Sequence, residues 1–177
     1  MKSKGIERYL KLFAQKIVRQ SKDNLSRARK DGKLSESIRF EVDKTKEGYT
    51  VKFYMSSYGQ FVDKGVSGTE VKRTYLNYNR LSENSPFGYS KRKKHSQPPS
   101  KALDGWAVRK GLAPRDKKGK FMKRKTLTFL IARHIGRRGI QGISFFQIPL
   151  GLGLKGFGKG LLYKINEDIT NSIKLQK

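Results

Sequence analysis

Apolar residues recur with a regular period near both ends of this 177-residue chain and lose that period between Val66 and Ser100, so a core has to be built by bringing the two ends together. From Ile6 to about Lys30, the residues Ile6, Tyr9, Leu10, Phe13, Ile17, Leu25 and Ala28 fall at helical spacing, with Asp31-Gly32 as the stop. That spacing predicts a long amphipathic helix. Ile38, Phe40 and Val42, then Tyr49, Val51, Phe53 and Met55, alternate with polar residues on either side of the turn formers Asp43 to Gly48. Two antiparallel strands with one buried face follow, and that face is the natural seat for the first helix. Toward the other end, Ile143, Phe145, Ile148 and Leu150 form an apolar stretch of strand length, and Leu161, Leu162, Ile165, Ile169 and Ile173 predict a closing helix to about Lys174.

Between these ends the chain offers Gly, Asn, Ser, Pro and the tyrosines Tyr75, Tyr78 and Tyr89. A loop of that length is either functional or disordered. Pro98-Pro99-Ser100 then reads as a helix start, with Ser100 as N-cap, Ala102, Leu103, Trp106 and Ala107 as the apolar face, and Trp106 as the anchor. A third helix is expected over about Lys123 to Arg138, with Leu127, Leu130, Ile131 and Ile135 on one side. The expected fold is α+β: residues 1–65 and 140–177 form a core domain, a small antiparallel sheet packed by a long N-terminal helix and a C-terminal helix. Residues 66–139 form a basic insertion, a long loop plus two helices.

Charge narrows the partners. Lys and Arg number 41 against 14 Asp and Glu, a net +27 that points to a polyanion or an acidic partner. The excess is concentrated in Lys91, Arg92, Lys93 and Lys94, and again around Lys117, Lys118, Lys120 and Arg124, in an interval whose only acids from Lys91 to Arg138 are Asp104 and Asp116. Such runs can neutralise phosphates and release counterions. The absence of cysteine excludes a disulfide framework, a thiolate nucleophile and a Cys-type zinc site. No run of about eighteen apolar residues occurs, and the chain reads as soluble and unexported, with no membrane partner.

Three motifs suggest chemistry. Gly151-x-Gly153-x-x-Gly156 and Gly153-x-x-x-x-Gly158-Lys159 match phosphate-cradling fingerprints, but Gly160 stands where a P-loop needs Ser or Thr, and the short remainder cannot supply a further strand with a magnesium or ribose acid. Asp63, with Glu70-Val71-Lys72, imitates the acid, acid-x-lysine set of metal-dependent nucleases; it lies among Gly65 and Gly68, where ligands are poorly held. His95 and His134 are far apart, with no acid cluster beside them. No metal and no cofactor is expected.

Ser57 to Gly65 follows the hairpin. Tyr58, Phe61 and Val62 lie at i, i+3 and i+4, one apolar face of a single helical turn, and Gly59 and Gly65 bracket it, which predicts a compact plug docked against the sheet. With this order of elements the chain resembles the tail-completion or neck proteins of tailed bacteriophages. Those proteins carry an aromatic, small, x, aromatic, Val, acid, x, Gly motif after their first strands, here Tyr58, Gly59, Phe61, Val62, Asp63 and Gly65. Ser144-Phe145-Phe146 is a loose counterpart of the family's Pro-Phe segment, without the proline. The likeness covers roughly residues 1–65 and 140–177.

The resemblance implies a non-enzymatic virion protein, assembled in the host cytoplasm, that forms a homo-oligomeric ring, commonly twelvefold, in the head-to-tail connector. Portal or adaptor proteins and tail proteins would flank it, and double-stranded DNA would pass through its bore. On that reading Tyr58, Phe61, Val62 and Asp63 lie at the subunit boundary, and Tyr75 and Tyr78 reach a neighbour. Protomers this basic repel one another within a screening length of about 8 Å, so the insertion faces either DNA or an acidic partner. Two other readings stand beside it: a free nucleic-acid-binding protein using the same basic interval, and a magnesium nuclease using Asp63, Glu70 and Lys72.

Overall fold

The computed structural model describes residues 4–28, 32–46, 48–90, 96–115 and 118–174, and the fold is α+β. The chain clusters into two compact units. One comprises Met1–Asp63, Leu76–Ser82 and Ile143–Lys177, the other Lys64–Tyr75 and Glu83–Gly142. The interval expected as a single insertion therefore gives its residues 76–82 to the first unit.

In the first unit, helix α1 (Lys4–Arg27) buries Leu10, Ala14, Ile17, Ser21 and Leu25, a stripe at steps of three or four that faces the core. A short helix α2 (Lys33–Ser37) adds Leu34. Strands β1 (Arg39–Lys44) and β2 (Tyr49–Tyr54) pair antiparallel, with Phe40 opposite Phe53 and Val42 opposite Val51, so the alternating apolar residues share one face. The outer face carries charge pairs, Lys52 to Asp43 at 2.7 Å and Arg39 to Glu41 at 3.1 Å. Leu25, Leu34, Ile38 and Phe145 form the buried centre, with Val18, Met55, Val62, Ile143 and Phe146 packed against it. Each such side chain contributes roughly 1.5–3 kcal/mol by leaving water.

The apolar stretch before the C-terminus is not a strand. It turns at Ser144, which has a φ of 49°, and continues as helix α6 (Gln147–Leu154). Pro149 is compatible with this because it lies in the first turn, and the Phe145 carbonyl four residues back accepts the Asn24 side-chain amide at 3.3 Å instead. The glycine-rich segment is helical as well. Gly156, with a φ of 84°, breaks the chain between α6 and helix α7 (Phe157–Lys174), which starts four residues before the expected Leu161. A side chain at Gly151 would overlap the Tyr78 carbonyl, so that glycine permits close packing of α6 on residues 76–82. Helix α7 returns along α1. The Tyr9 and Phe13 rings lie 5.7 and 4.5 Å from that of Phe157, the Tyr9 hydroxyl donates to the Phe157 carbonyl at 3.0 Å, and the Ile6 N–H in the first turn of α1 donates to Asp168 at 3.2 Å.

In the second unit, strand β3 (Val66–Ser67) pairs antiparallel with strand β6 (Gly139–Ile140). Strands β4 (Thr74–Leu76) and β5 (Ser82–Asn84) make another pair, so beside the expected small sheet β1–β2 there are two further two-stranded pieces among the described residues. A 3-10 turn at Ser100–Leu103 leads into helix α4 (Asp104–Arg109). Ser100 opens that turn without capping by its side chain, Ala107 is the buried contact, and Trp106, expected as the anchor, is 39% exposed. Helix α5 (Arg124–Arg138) packs through the small residues Thr128, Ala132 and Gly136, a stripe at steps of four. Leu130, expected on the buried side, is exposed because the close approach at Gly136 brings the small-residue face inward.

Candidate functional site

Helix α3 (Gly59–Lys64) carries most of the motif and docks on the core as expected, but through Gly59, Val62 and Asp63 and not through Tyr58 and Phe61. Asp63 is the buried side chain, at 3% exposure, whereas Tyr58 and Phe61 are 44% and 45% exposed. The reason lies in the chain that crosses beneath it. The Asp63 carboxylate accepts the Phe146 N–H at 2.9 Å, its carbonyl accepts the Ser144 N–H at 2.9 Å, and the Val62 carbonyl accepts the Ile143 N–H at 3.1 Å. Phe146 is the residue that precedes the first turn of α6, so the carboxylate also sits at the positive end of that helix. The Ser144 hydroxyl in turn accepts the Leu76 N–H at 2.9 Å, which ties the turn below α3 to the start of residues 76–82.

That segment is shaped by Asn77. Its side-chain oxygen accepts the N–H groups of Asn79 and Leu81, both at 2.9 Å, and this turn holds Arg80 at a φ of 63°. Tyr78 is left exposed on the turn.

Of the residues expected at a subunit boundary, Tyr58, Phe61 and Tyr78 are thus exposed. Val62 is half-buried against the core cluster, and Asp63 and Tyr75 are interior. In the second unit the Tyr75 hydroxyl donates to Glu83 at 2.7 Å, and the Lys64 ammonium lies 5.7 Å from its ring centroid. Asp63 and Tyr75 are therefore corrected from boundary contacts to internal ones. Their polar atoms are engaged within the protomer, which residue spacing does not reveal.

Among the basic residues, Lys91, Arg92, Lys93, Lys94 and Lys117 lie outside the described residues. Lys118, Lys120 and Arg124 are exposed. Arg115 stacks its guanidinium 4.0 Å from the centroid of Phe121 and donates to the Gly119 carbonyl at 2.9 Å, which closes the turn ahead of α5. On α5 itself Phe129, Arg133, His134 and Arg137 are exposed, giving that helix a cationic outer face with an aromatic in it. Sequence reasoning noted the charge there and missed Phe129, whose place at i−4 from Arg133 was the available signal.

The chemical motifs do not converge. Glu70 pairs with Arg137 at 3.3 Å on the surface of the second unit, and Asp63 caps α6 in the first. Among the described residues no group of three His, Asp or Glu side chains could hold a metal ion. Gly151 and Gly153 are inside α6, and Gly158 and Gly160 are inside α7, so only Lys155 and Gly156 lie between the helices, too short a loop to wrap a phosphate. Burial pushes the Tyr89 phenol above its ordinary range, and the Glu41 hydrogen bond does the same for Tyr54. Both remain protonated near neutrality. Among the described residues no helix is long and apolar enough to cross a membrane.

No family model, curated protein or solved structure matches this chain.

Proposed function

We propose that this protein is a structural subunit of the neck of a tailed bacteriophage, assembling into a ring through which double-stranded DNA passes. The observation that carries the reading is the split within the Tyr58-to-Gly65 motif. Asp63 is used inside the protomer to hold α6, while Tyr58, in the turn just before the same short helix, and Phe61 on it remain exposed. Aromatic side chains presented on a braced turn are the kind of surface a second protein covers, since they bury much area at little conformational cost. Rings need contacts in which one patch meets a different patch on the next copy. The net charge of +27 is then offset by DNA in the bore or by acidic neighbours.

The test is negative-stain electron microscopy and mass photometry of the purified protein, alone and with portal and tail proteins. Annular particles are the expected result. A protein that stays monomeric at every concentration and joins neither partner overturns the reading.

The cationic face of α5, with Phe129 exposed beside Arg133, favours a second reading, a free nucleic-acid-binding protein. DNA affinity that falls steeply with salt, with no assembly at any salt, would select it.

A further inference from the structure

Helix α7 has two faces. Leu161, Ile165 and Asp168 lie toward α1, whereas Leu162, Tyr163, Ile169 and Ile173 are between 47% and 67% exposed and, with Asn166, form a stripe along the outside. The stripe from Leu162 to Ile173 is about 17 Å long at 1.5 Å per residue. An exposed apolar stripe of this size on a helix that already packs on its other side marks a docking surface.

The same unit holds a groove of about 790 Å³, walled by Leu12, Lys16, Arg19 and Arg27 of α1 and by Ile148 and Leu152 of α6. The α1 wall, from Leu12 to Arg27, is about 22 Å long, enough to take the α7 stripe. The groove's apolar lining is Leu12, Ile148, Pro149 and Leu152; beside these and the polar Gln15, Gln20 and Asn24 it carries three cations against the single acid Asp23. The complement lies on α7. Asp168 is engaged by the Ile6 N–H of its own protomer, which leaves Glu167 as the acid of the outer side, and the run Ile165 to Ile173 contains no Lys or Arg. Glu167 is 45% exposed and pairs with Lys164 of its own helix at 2.6 Å.

We propose that the outer face of α7 of one protomer docks in the α1/α6 groove of the next. This rests on the ring reading above and names its contact. Apolar residues of the stripe fill the floor between Leu12 and Leu152, and Glu167 meets the cations at the rim, the helix-in-groove mode of recognition. Because the two surfaces are different patches of one protomer, the contact is head-to-tail, the type that closes into rings.

The sequence has no cysteine, which makes the test direct. Ile169→Cys protein is mixed with Gln15→Cys or with Gln20→Cys protein, so that either direction of the helix in the groove is sampled, and the assembled material is mildly oxidised. A mixed disulfide as the main product at one of the two positions is expected, together with assembly weakened tenfold or more by Ile169→Asp. Assembled particles that give no mixed disulfide and are indifferent to Ile169→Asp overturn this contact and leave the ring reading standing. A monomer at every concentration overturns both.

Discussion

The carboxylate of Asp63 accepts the backbone N–H of Phe146 at 2.9 Å across 83 residues of sequence, and with the backbone bonds of Val62 and Asp63 it joins α3 to the start of α6. A buried hydrogen bond to a charged acceptor contributes about 1.5–3 kcal/mol, and its loss strands a donor inside the protein. Asp63→Ala is therefore expected to destabilise the fold by about 2 kcal/mol, a fall of roughly 4–8 °C in Tm. Asp63→Asn, which keeps an acceptor oxygen, should lose less than half of that. Thermal unfolding followed by circular dichroism reads both, and equal losses would mean that the charge, and not the acceptor, carries the effect.

Two glycines of the same segment should respond with opposite sign. Gly151→Ala drives a methyl group into the Tyr78 carbonyl and is expected to cost about 1–3 kcal/mol. Gly158 has open space where its Cβ would be and lies within α7, so Gly158→Ala should stabilise by about 0.5–1 kcal/mol. Urea midpoints of the two variants decide it, and a stabilised Gly151→Ala would contradict the packing of α6 described above.

Ser21 sits in the middle of the buried stripe of α1 with its hydroxyl fully buried and unpartnered. Removing an unsatisfied polar group from a core relieves a penalty of about 1–3 kcal/mol, offset by the small space it vacates. Ser21→Ala should raise stability by about 1 kcal/mol, helped by the better helix propensity of alanine. A lower denaturation midpoint would show that the hydroxyl is bonded in solution.

Tyr58 and Phe61 are exposed, so replacing both by Ser should change unfolding free energy by about 0.5 kcal/mol or less. If they are covered by a neighbour, the same change weakens association by at least tenfold, in the range of 1–3 kcal/mol for aromatic contacts at an interface. Sedimentation velocity of the double variant beside the parent separates the two effects. Unaltered association would remove these side chains from the boundary.

Several elements were legible from residue order because their physics is local. The apolar spacing of α1 and the alternation that sets Phe40 against Phe53 and Val42 against Val51 each follow from the geometry of one element against one apolar face, whereas α5 and α7 were legible as helices but not in the side they bury, since Leu130, Leu162, Ile169 and Ile173 are exposed. The run from Ile143 to Leu150 was ambiguous for the same reason, since a short apolar stretch fits a strand or a buried helix equally well.

What residue order determined, then, was the long helices and the β1–β2 hairpin and, for α1 and that hairpin, which side avoids water. Tertiary structure alone decided that Asp63 points inward while Tyr58 and Phe61 point out, and that Gly151 makes room for close packing of α6. Each of those outcomes depends on a backbone group brought in from a distant part of the chain, the Phe146 N–H for Asp63 and the Tyr78 carbonyl for Gly151. Periodicity records how a segment meets water; it carries no record of which distant donor or carbonyl will arrive beside it.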